Sequence, residues 1–335
     1  MKISLYLVAI LVFSQLGNII RFSESHAIVT TFWRLVLSAA IILPIVAYSK
    51  GFTDFKKLNK NGWLKVFVSG LCLFITFTLF IFAVGKTTVA QATILFSMHP
   101  LTTALFGAIF LAEPLTKHMK VALGLGLVGV VVLFNGGVHL DSQHMEGSIY
   151  AILTAVCFSG YLILSKSIRT QINNTAYTSA IYSIAAIFGL ITLTALDMPF
   201  LENSEQSWYS FLALAVFPTL LGHALFTYLL KHLNINFVSC GILAHPPLAA
   251  LSAHYLFGEV ITNNTIIGFA FTSLALLSLL VPYELLAKII FRKDKAGVLI
   301  KESIRENFNL EVNIETPELQ PVEASSPASE FKQAS

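Results

Sequence analysis

Two stretches of this chain repeat one another: residues 99–116 are HPLTTALFGAIFLAEPLT, and residues 245–262 are HPPLAALSAHYLFGEVIT. At this offset of 146 residues, six of the eighteen aligned positions are identical, among them a His-Pro pair and a Glu-x-x-Thr ending. Histidine, proline and glutamate are rare inside apolar runs, so apolar composition alone does not explain the match. The same offset aligns residues 79–80 with residues 225–226, both Leu-Phe. We therefore predict an internal repeat.

The composition predicts that this repeat lies in a membrane. Of the 335 residues, 56% are hydrophobic and only 12% are charged, about half the charged share of soluble domains. Because a helix needs about 20 apolar residues to cross a bilayer, we predict an all-α integral membrane protein with ten transmembrane helices. The predicted spans are residues 3–22, 27–48, 63–84, 87–112, 119–137, 146–168, 175–196, 208–230, 234–257 and 263–286. No small-x-small cleavage site follows the first span, so we interpret it as a retained helix rather than a signal peptide.

The distribution of basic residues predicts the orientation of the helices. Counted over alternate connections and both termini, eighteen of the twenty-one Lys and Arg residues lie on one side, whereas only Arg21 and Lys86 lie on the other. The remaining one, Arg34, falls within the second span. Since the basic side of a membrane protein faces the cytoplasm, we expect both termini there, in a bacterial-type inner membrane.

Each copy of the repeat contains five predicted spans, so the second copy enters the membrane from the opposite side and the two repeats are inverted. We expect residues 1–140 to form the first repeat and residues 141–287 the second. Residues 288–335 are predicted to form a basic juxtamembrane segment followed by an acidic, disordered cytoplasmic tail. Inverted repeats recur in secondary transporters, where they open a central binding site to either side in turn.

The sequence resembles the drug/metabolite transporter superfamily, and within it the EamA type. The matching features are the two repeated stretches, each of which closes a helix with a glutamate, and Arg34 within FWRLVLSAAIILP, which is similar to a basic residue common in the second helix of the family. The resemblance covers residues 3–287 and implies ten helices in two EamA-like repeats. It also implies a central cavity, lined mainly by helices 1, 3, 4, 6, 8 and 9, and transport of small metabolites, often outward. Two features depart from the family pattern: the second repeat has no arginine equivalent to Arg34, and the acidic tail is additional.

The two His-Pro pairs predict a substrate-binding site near the middle of the membrane. His99 and His245 fall near the centres of the fourth and ninth spans. Pro100, Pro246 and Pro247 each leave the carbonyl four residues earlier without its helical partner, which predicts helix kinks. Such carbonyls are tolerated where they face protein or a wet cavity. The alternative is that each histidine bonds a neighbouring helix and the prolines only bend packing elements.

Other residues are weaker candidates for substrate binding. They are Gln91, which shares a helix face with His99, and Arg34, His223, Tyr228, Tyr161 and Phe77. Arg34 is either a buried functional charge or a side chain that snorkels outward to the surface, and packing is the alternative for the others. Glu113 and Glu259 end the two repeated helices, where we expect them to cap helix ends or pair with basic groups and so to act in gating.

The features that the sequence lacks narrow the mechanism. No Asp or Glu falls in the middle of a predicted span, so proton coupling would require His99, His223 or His245, because histidine is the side chain whose unperturbed pKa lies near neutral pH. Facilitated diffusion, or exchange against a counter-substrate down a gradient, is the alternative. The sequence contains no Walker loop, zinc-ligand spacing or G-x-S-x-G elbow, so we expect no cofactor, no metal, no nucleic-acid partner and no catalysis.

The predicted function is therefore a secondary carrier of small organic metabolites, such as amino acids or related compounds, with alternating access around a midplane cavity. Its expected partners are the substrate, the lipid bilayer, and either protons or a counter-substrate. One alternative is a membrane receptor or scaffold that acts through its cytoplasmic tail. Another is an intramembrane enzyme, which would need convergent ionisable groups in one half of the chain, whereas His99 and His245 are distributed symmetrically.

Overall fold

A computed structural model describes residues 2–49, 51–87, 89–135, 142–201, 203–258, 261 and 263–280. Within these residues the chain forms helices joined by short connections, and no strand is described. Eight helical stretches of the described chain, some of them made of two or more of the elements given below, are long and apolar enough to span a membrane. Two shorter apolar helices, Met119–Val132 and Ile266–Ser278, coincide with the fifth and tenth predicted spans. Glu259 and the predicted tail lie outside the described residues.

The described α-helices are numbered in chain order. They are α1 (Lys2–Phe13), α2 (Leu16–Ile20), α3 (Ala27–Tyr48), α4 (Lys60–Lys86), α5 (Val89–Phe96), α6 (His99–Phe110), α7 (Lys117–Asn135), α8 (Ser142–Arg169), α9 (Asn174–Ala195), α10 (Glu205–Leu214), α11 (Ala224–Leu230), α12 (Ile235–Cys240), α13 (His245–Phe257) and α14 (Asn263–Leu280). A 3₁₀ turn, Gly51–Lys57, precedes α4, and a second, Gly241–Ala244, joins α12 to α13. A π-helical segment, Ala215–His223, joins α10 to α11.

Asparagine side chains define where two of the long helices begin. The side-chain oxygen of Asn59 accepts the backbone N–H of Gly62 at 2.8 Å before α4, and Asn173 accepts that of Ala176 at 2.9 Å before α9. These bonds satisfy backbone donors that have no partner within the first turn of a helix. Polar residues in the connections therefore fix the start of the apolar helices that follow them.

The two His-Pro pairs interrupt their helices at the positions where the sequence predicts kinks. Two residues separate α5 from α6, which begins at His99 with Pro100 in its first turn. A 3₁₀ turn precedes α13, which begins at His245 with Pro246 and Pro247 in its first turn. Proline lacks the N–H of an interior helical bond but fits the first turn of a helix, so each pair starts a new helix.

The first and eighth predicted spans are not continuous α-helices. Two residues separate α1 from α2, and the π-helical segment replaces the middle of the eighth span. Pro218 lies inside this segment and has no N–H to donate, and the Thr219 hydroxyl donates to the carbonyl of Leu214 at 2.6 Å. π-helical turns are rare and are frequent at functional sites.

Helices of the first half of the chain pack against helices of the second half. α4 lies against both α8 and α9, and α3 also lies against α9. α1 packs against the π-helical segment, α6 against α8, and α7 against α14. Buried residues from both halves belong to one apolar cluster among the described residues. The core therefore forms between the two halves.

Glycines allow α7 to approach its neighbours closely. A Cβ atom at Gly129 would lie 2.9 Å from the carbonyl oxygen of Gly268 on α14, and a Cβ atom at Gly126 would overlap the side chain of Leu243. Gly124 differs, because nothing lies within 4 Å of its Cβ position. Small residues at helix contacts are typical of membrane bundles, where close backbone approach maximises van der Waals contact.

The connections between helices gather at two ends of the bundle. One end, which we call the basic end, holds residues 49, 51–59, 111–116, 170–173 and 231–234. There, Asp54 accepts the backbone N–H of Asn173 at 2.9 Å. The other end, which we call the opposite end, holds residues 21–26, 196–201 and 203–204. There, the Ser25 hydroxyl donates to the side-chain oxygen of Asn203 at 2.7 Å.

Candidate functional site

Three buried histidines surround phenylalanine rings between the two halves of the bundle. His99, His223 and His245 are each at most 1% exposed. The ring centroid of Phe96 lies 5.2 Å from that of His99 and 6.2 Å from that of His245. The ring centroid of Phe158 lies 5.0 Å from that of His99 and 6.4 Å from that of His223. Phe96 and Phe158 therefore connect all three imidazoles.

These two rings belong to a phenylalanine cluster that draws on both halves of the chain. The cluster consists of Phe13 on α1, Phe96 on α5, Phe158 on α8 and Phe226 on α11, with contacting centroids 5.3–6.4 Å apart. The sequence alone does not distinguish them, because the chain contains 27 phenylalanines and no spacing sets these four apart. Only Phe226 carried a signal, since it aligns with Phe80 at the repeat offset.

Few hydrogen bonds hold the histidine side chains. Ser159 donates to the backbone carbonyl of His99 at 3.0 Å, which leaves the imidazole itself unaffected. Within the described part of the chain, Nε2 of His99, Nε2 of His223 and both ring nitrogens of His245 form no hydrogen bond of ordinary geometry, although the carbonyl of Ser14 lies near His245. A buried polar group without a hydrogen bond costs about 1–3 kcal/mol. These nitrogens are therefore available to a polar ligand.

Arg34 points into the bundle, where it is a buried polar side chain in addition to the three histidines. Its side chain is 1% exposed, and its Nε donates to the hydroxyl of Thr219 at 2.6 Å. Its guanidinium carbon lies 3.7 Å from the ring centroid of Phe77, a geometry in which the ring face attracts the cation. The alternative that Arg34 snorkels outward is therefore wrong. Among the described residues its Nη2 has no hydrogen bond, and no acidic side chain forms an ion pair with it.

His223 connects the Arg34 group to the phenylalanine cluster. Its ring centroid lies 5.6 Å from that of Phe77 and 4.9 Å from that of Tyr161. Its Nδ1 lies 3.0 Å from the hydroxyl of Tyr182, a residue that no pattern in the sequence marks as part of a site. The structure thus brings together six of the residues predicted to bind substrate: Arg34, Phe77, His99, Tyr161, His223 and His245.

Two of the residues predicted to bind substrate lie outside this group. Gln91 donates from Nε2 to the hydroxyl of Ser148 at 2.7 Å and so links α5 to α8. Tyr228 packs against His232, with ring centroids 5.1 Å apart, next to the basic end. Helical spacing alone placed Gln91 on the face of His99, but the break between α5 and α6 separates the two positions.

Glu113 lies at the basic end, where it joins three helices. Its Oε2 accepts the backbone N–H of Ile235 at 3.0 Å and so caps α12, while its Oε1 lies 3.3 Å from Nζ of Lys166 on α8. Lys166 also donates to the carbonyl of Leu233 at 2.6 Å. Because Glu113 follows α6, these contacts tie the first half of the chain to the second. The predicted capping and pairing of Glu113 are observed; the equivalent residue, Glu259, lies outside the described residues.

A cavity of about 440 Å³ lies at the opposite end. Its lining comes from the connection between α2 and α3 and from the last turns of α4. Arg21, His26 and Lys86 contribute to this lining, and no acidic residue is among the described residues that form it. At the basic end Glu113 joins helices of both halves, whereas the opposite end contains an accessible cavity whose lining includes Arg21 and Lys86.

These features define a class of membrane protein. A multi-pass bundle of apolar helices, with polar side chains buried between two halves and a cavity at one end, is the architecture of a membrane transport protein. The chain belongs to the EamA-like transporter family, whose model matches residues 2–135 and again residues 145–281. This match confirms the resemblance to the EamA type and to its superfamily.

Relatives of the chain are named as transporters. It is 26% identical over 238 residues to an uncharacterized transporter of Archaeoglobus fulgidus, covering 71% of this chain and 81% of the relative. It is also 26% identical over 252 residues to the uncharacterized transporter YojE of Bacillus subtilis, covering 73% and 80% of the two chains. These names favour transport over catalysis.

The fold is also similar to that of a known crystal structure. The TM-score is 0.69, and the match covers 87% of this chain and 98% of the other. Since the two sequences are only 20% identical, this similarity bears on the fold alone.

Proposed function

We propose that the protein is a secondary transporter that exports or exchanges small organic metabolites, such as amino acids or related compounds, by alternating access around the central site. The observation that carries this proposal is the group of buried, unbonded nitrogens on Arg34, His99, His223 and His245, at the contact between the two halves. Polar groups inside a membrane protein are costly to keep and commonly mark a substrate pathway.

The packing supports ten spans arranged as two inverted repeats. α3 and α9, the second spans of the two halves, pack on each other, as do α7 and α14, the fifth spans. α4 packs on α8, which are the third and sixth spans. The equivalent contact joins the eighth and first spans, where the π-helical segment packs on α1. A two-fold axis exchanges the two halves, so it maps a contact between equivalent spans onto itself and maps every other contact onto an equivalent one. The contacts above follow this rule, as expected for such an axis in the membrane plane between residues 1–140 and residues 141–287.

The difference between the two ends supports alternating access. Equivalent halves can exchange conformations, so a state closed at one end implies a second state closed at the other. The contacts of Glu113 with Lys166 and Ile235 close the basic end of the state described here. In this proposal Glu113 acts as a gate at the basic end, and Glu259 has the equivalent role at the opposite end.

The distribution of basic residues supports a cytoplasmic basic end, with both termini on that side of an inner membrane. Substrate would then enter the central site from the cytoplasm when the basic end opens, and leave through the cavity at the opposite end. Movement down a substrate gradient, exchange against a counter-substrate, or coupling to protons through the histidines would each drive this cycle.

Counterflow in proteoliposomes tests the proposal. Vesicles that contain the purified protein are loaded with a pooled metabolite extract, and exchange with labelled compounds outside is followed by mass spectrometry. We expect exchange of one chemical class that vesicles without protein do not show. His99→Ala together with His245→Ala should abolish it, whereas His254→Ala, at the far end of α13, should not. Unchanged exchange in the double variant, at equal amounts of folded protein, would mean that the pair is structural.

Deletion of residues 297–335 distinguishes the transporter from a receptor or scaffold. A transporter should retain full counterflow without this segment, since the residues that form the proposed site lie between Arg34 and His245. A protein that acts through its tail would lose its cellular effect on deletion, and would show no exchange either with or without the tail.

A further inference from the structure

We propose that Arg34 binds a carboxylate of the transported substrate, and that the substrate is a small organic anion with an apolar body. This inference rests on the proposed transport function and specifies the substrate class of the same site. It follows from the charge of Arg34, from its surroundings, and from its position about two helical turns from the cavity at the opposite end.

Among the described residues, the Arg34 guanidinium is buried without a counter-charge. It is 1% exposed, and its partners are the neutral hydroxyl of Thr219 and the ring of Phe77. A buried cation needs an anion or a full set of hydrogen bonds to offset its lost hydration. Its Nη2 has neither among the described residues. A carboxylate would supply the missing charge and would match the planar guanidinium geometry.

A second buried arginine, Arg169, shows how this chain satisfies a structural guanidinium. Its side chain is also 1% exposed. Its Nε donates to the carbonyl of Thr227 at 3.1 Å, its Nη1 donates to the carbonyl of Ile172, and the carboxylate of Asp54 is a nearby opposite charge. Among its described neighbours Arg34 has no carbonyl or carboxylate of this kind. The two arginines therefore have different roles.

The surroundings of Arg34 have the features of a site rather than of a packing contact. Thr219 belongs to the π-helical segment, which places its hydroxyl against Nε of Arg34. The hydroxyl also donates to the carbonyl of Leu214 at 2.6 Å, so its orientation is fixed. An arginine held at one nitrogen by an oriented partner, with another nitrogen unbonded, is prepared to bind an anion at low ordering cost.

The helices that carry Arg34 and Phe77 also line the opposite-end cavity. Ala27 lines the cavity and precedes Arg34 by seven residues, or about two turns, on α3. Ile81 lines it and follows Phe77 by four residues, or about one turn, on α4.

The lining of the cavity includes basic side chains. Arg21 and Lys86 contribute to it, and they are the two basic residues that the sequence assigns to this side of the membrane. Lys86 also forms an ion pair with Glu146, at 3.3 Å between Nζ and Oε2. Since no acidic residue is among the described residues of the lining, the cavity does not oppose the approach of an anion.

The rest of the substrate would contact aromatic rings. From Phe77, the ring of His223 lies 5.6 Å away, and the ring of Phe158 lies 6.4 Å beyond that. An ammonium group would find no counter-charge, because Asp54, the buried acidic residue of the described chain, lies at the basic end. We therefore expect anions without an amino group to bind at least as well as the corresponding amino acids.

Three isosteric probes test the sign of the charge. Phenylacetate, neutral phenylacetamide and cationic phenethylamine share a ring and differ in the polar end. Counterflow of the pooled extract by wild-type proteoliposomes is measured with each as competitor. We expect the exchanged compounds to be carboxylates, and phenylacetate to compete about ten to a hundred times more strongly than the other two, because only the carboxylate offers the guanidinium an opposite charge and two acceptor oxygens.

Substitution of the arginine locates the effect. Arg34→Gln should lower carboxylate exchange by about ten- to a hundredfold and remove the preference for phenylacetate, and Arg34→Lys should retain part of both. Arg169→Gln is the matched control: it removes an equally buried charge and should lower the thermal midpoint without changing the order of the competitors. Exchange of only neutral or cationic compounds, or wild-type carboxylate exchange by Arg34→Gln, would overturn the inference while transport stands.

Two further outcomes are decisive. If Arg34→Gln does not fold, the competitor order of the wild-type protein decides alone, and equal competition by phenylacetate and phenylacetamide refutes the anion site. If the folded wild-type protein exchanges nothing, the transport proposal fails. The anion site is then tested by thermal unfolding, where phenylacetate should raise the midpoint and phenylacetamide should not.

Discussion

Phe158 lies among the aromatic rings at the centre of the protein. Its ring contacts those of Phe13, Phe96, His99, Tyr161 and His223, at centroid distances between 5.0 and 6.4 Å. Because these rings come from both halves of the chain, Phe158 is part of the surface on which the halves meet. Its packing holds the histidines in position as well as excluding lipid and water.

We expect Phe158→Ala to destabilise the protein strongly. Removal of a buried phenylalanine side chain leaves a cavity and typically costs about 3–5 kcal/mol. The measurement is the thermal unfolding midpoint in detergent, with Phe158→Leu expected to lie between the wild type and the alanine variant. Phe217→Ala is the control, since Phe217 is 49% exposed on the outer face of the π-helical segment. Equal midpoints for the two alanine variants would contradict the central role of Phe158.

At the scale of residues, the sequence predicted the polar members of the site better than the apolar ones. His99 and His245 were detectable because the repeat aligns them and because histidine is rare inside apolar runs. Phe158 was not, since a buried phenylalanine and a lipid-facing one look alike in an apolar sequence. The direction of Arg34 was also beyond the sequence, because it depends on Thr219, a partner 185 residues away.

Among the helices, α7 and α14 form a contact that depends on the absence of a side chain. Gly129 lies so close to the backbone of α14 that a Cβ atom would be 2.9 Å from a carbonyl oxygen. We expect Gly129→Leu to separate the helices and lower the unfolding midpoint, since overpacking typically costs about 1–3 kcal/mol. Gly124→Leu, five residues earlier on the same helix and with nothing within 4 Å, should leave it nearly unchanged. Similar losses in both variants would refute the packing explanation.

The 3₁₀ turn Gly51–Lys57 is attached to α9 by a titratable group. A hydrogen bond from Lys57, followed by the backbone N–H of Asn173, lowers the pKa of the Asp54 carboxyl below its ordinary value of 3.8, and the charges of Lys57 and Arg169 act in the same direction. A pKa lowered in the folded state means that the carboxylate form stabilises folding. Its contribution is fully present above the unfolded pKa of 3.8 and is lost as the pH falls through the folded pKa.

We therefore expect Asp54→Asn to lower the unfolding midpoint at neutral pH and to have a diminishing effect as the pH falls below 3.8. The measurement is the difference in midpoint between wild type and variant across this range. Lys57→Met should reproduce part of the loss, whereas Lys56→Met, which alters the neighbouring charge, should not. A difference that is constant with pH would show that the carboxylate charge is not what attaches the turn.

At the scale of elements, prolines predicted several of the helix boundaries. The breaks before α6 and α13 follow from prolines at positions where a helix can start but not continue. Pro218, in the eighth span, is likewise a residue that disfavours the interior of an α-helix. The structure accommodates it in a π-helical segment, and no sequence pattern distinguishes such a segment from an α-helix. The break between α1 and α2 has no proline at all, and its sequence remains as apolar as a continuous span.

For the whole molecule, the difference between its two ends is the feature with the clearest functional consequence. Glu113 joins Lys166 and the start of α12 at the basic end, which we propose is closed, while the opposite end contains a cavity. If two states interconvert, these contacts stabilise only the state in which they form, so their removal shifts the population toward the other state.

We expect Glu113→Gln to open the basic end and close the opposite end. The carboxylate and Lys166 are 21% and 13% exposed, so the pair is partly shielded, and loss of one to two kcal/mol would change the ratio of states by a factor of about 5–30. Single cysteines report on this, in a background without Cys72, Cys157 and Cys240. Leu233→Cys, buried behind the Glu113 contacts, should be labelled faster, and Ile81→Cys, in the opposite-end cavity, should be labelled more slowly.

A gate and a local cap predict different labelling rates. A gate changes the rates at Leu233→Cys and Ile81→Cys in opposite directions, whereas a local cap changes only the first. If Glu113 only caps α12, its removal loosens the basic end and Leu233→Cys reacts faster, while Ile81→Cys is unaffected, since the two positions are at different ends of the bundle. Glu205→Gln, which alters a first-turn carboxylate of α10 at the opposite end, should change neither rate and controls for charge alone. Coupled changes require that the ends communicate through one equilibrium, because a contact at one end can affect the other only by shifting the populations of states that differ at both.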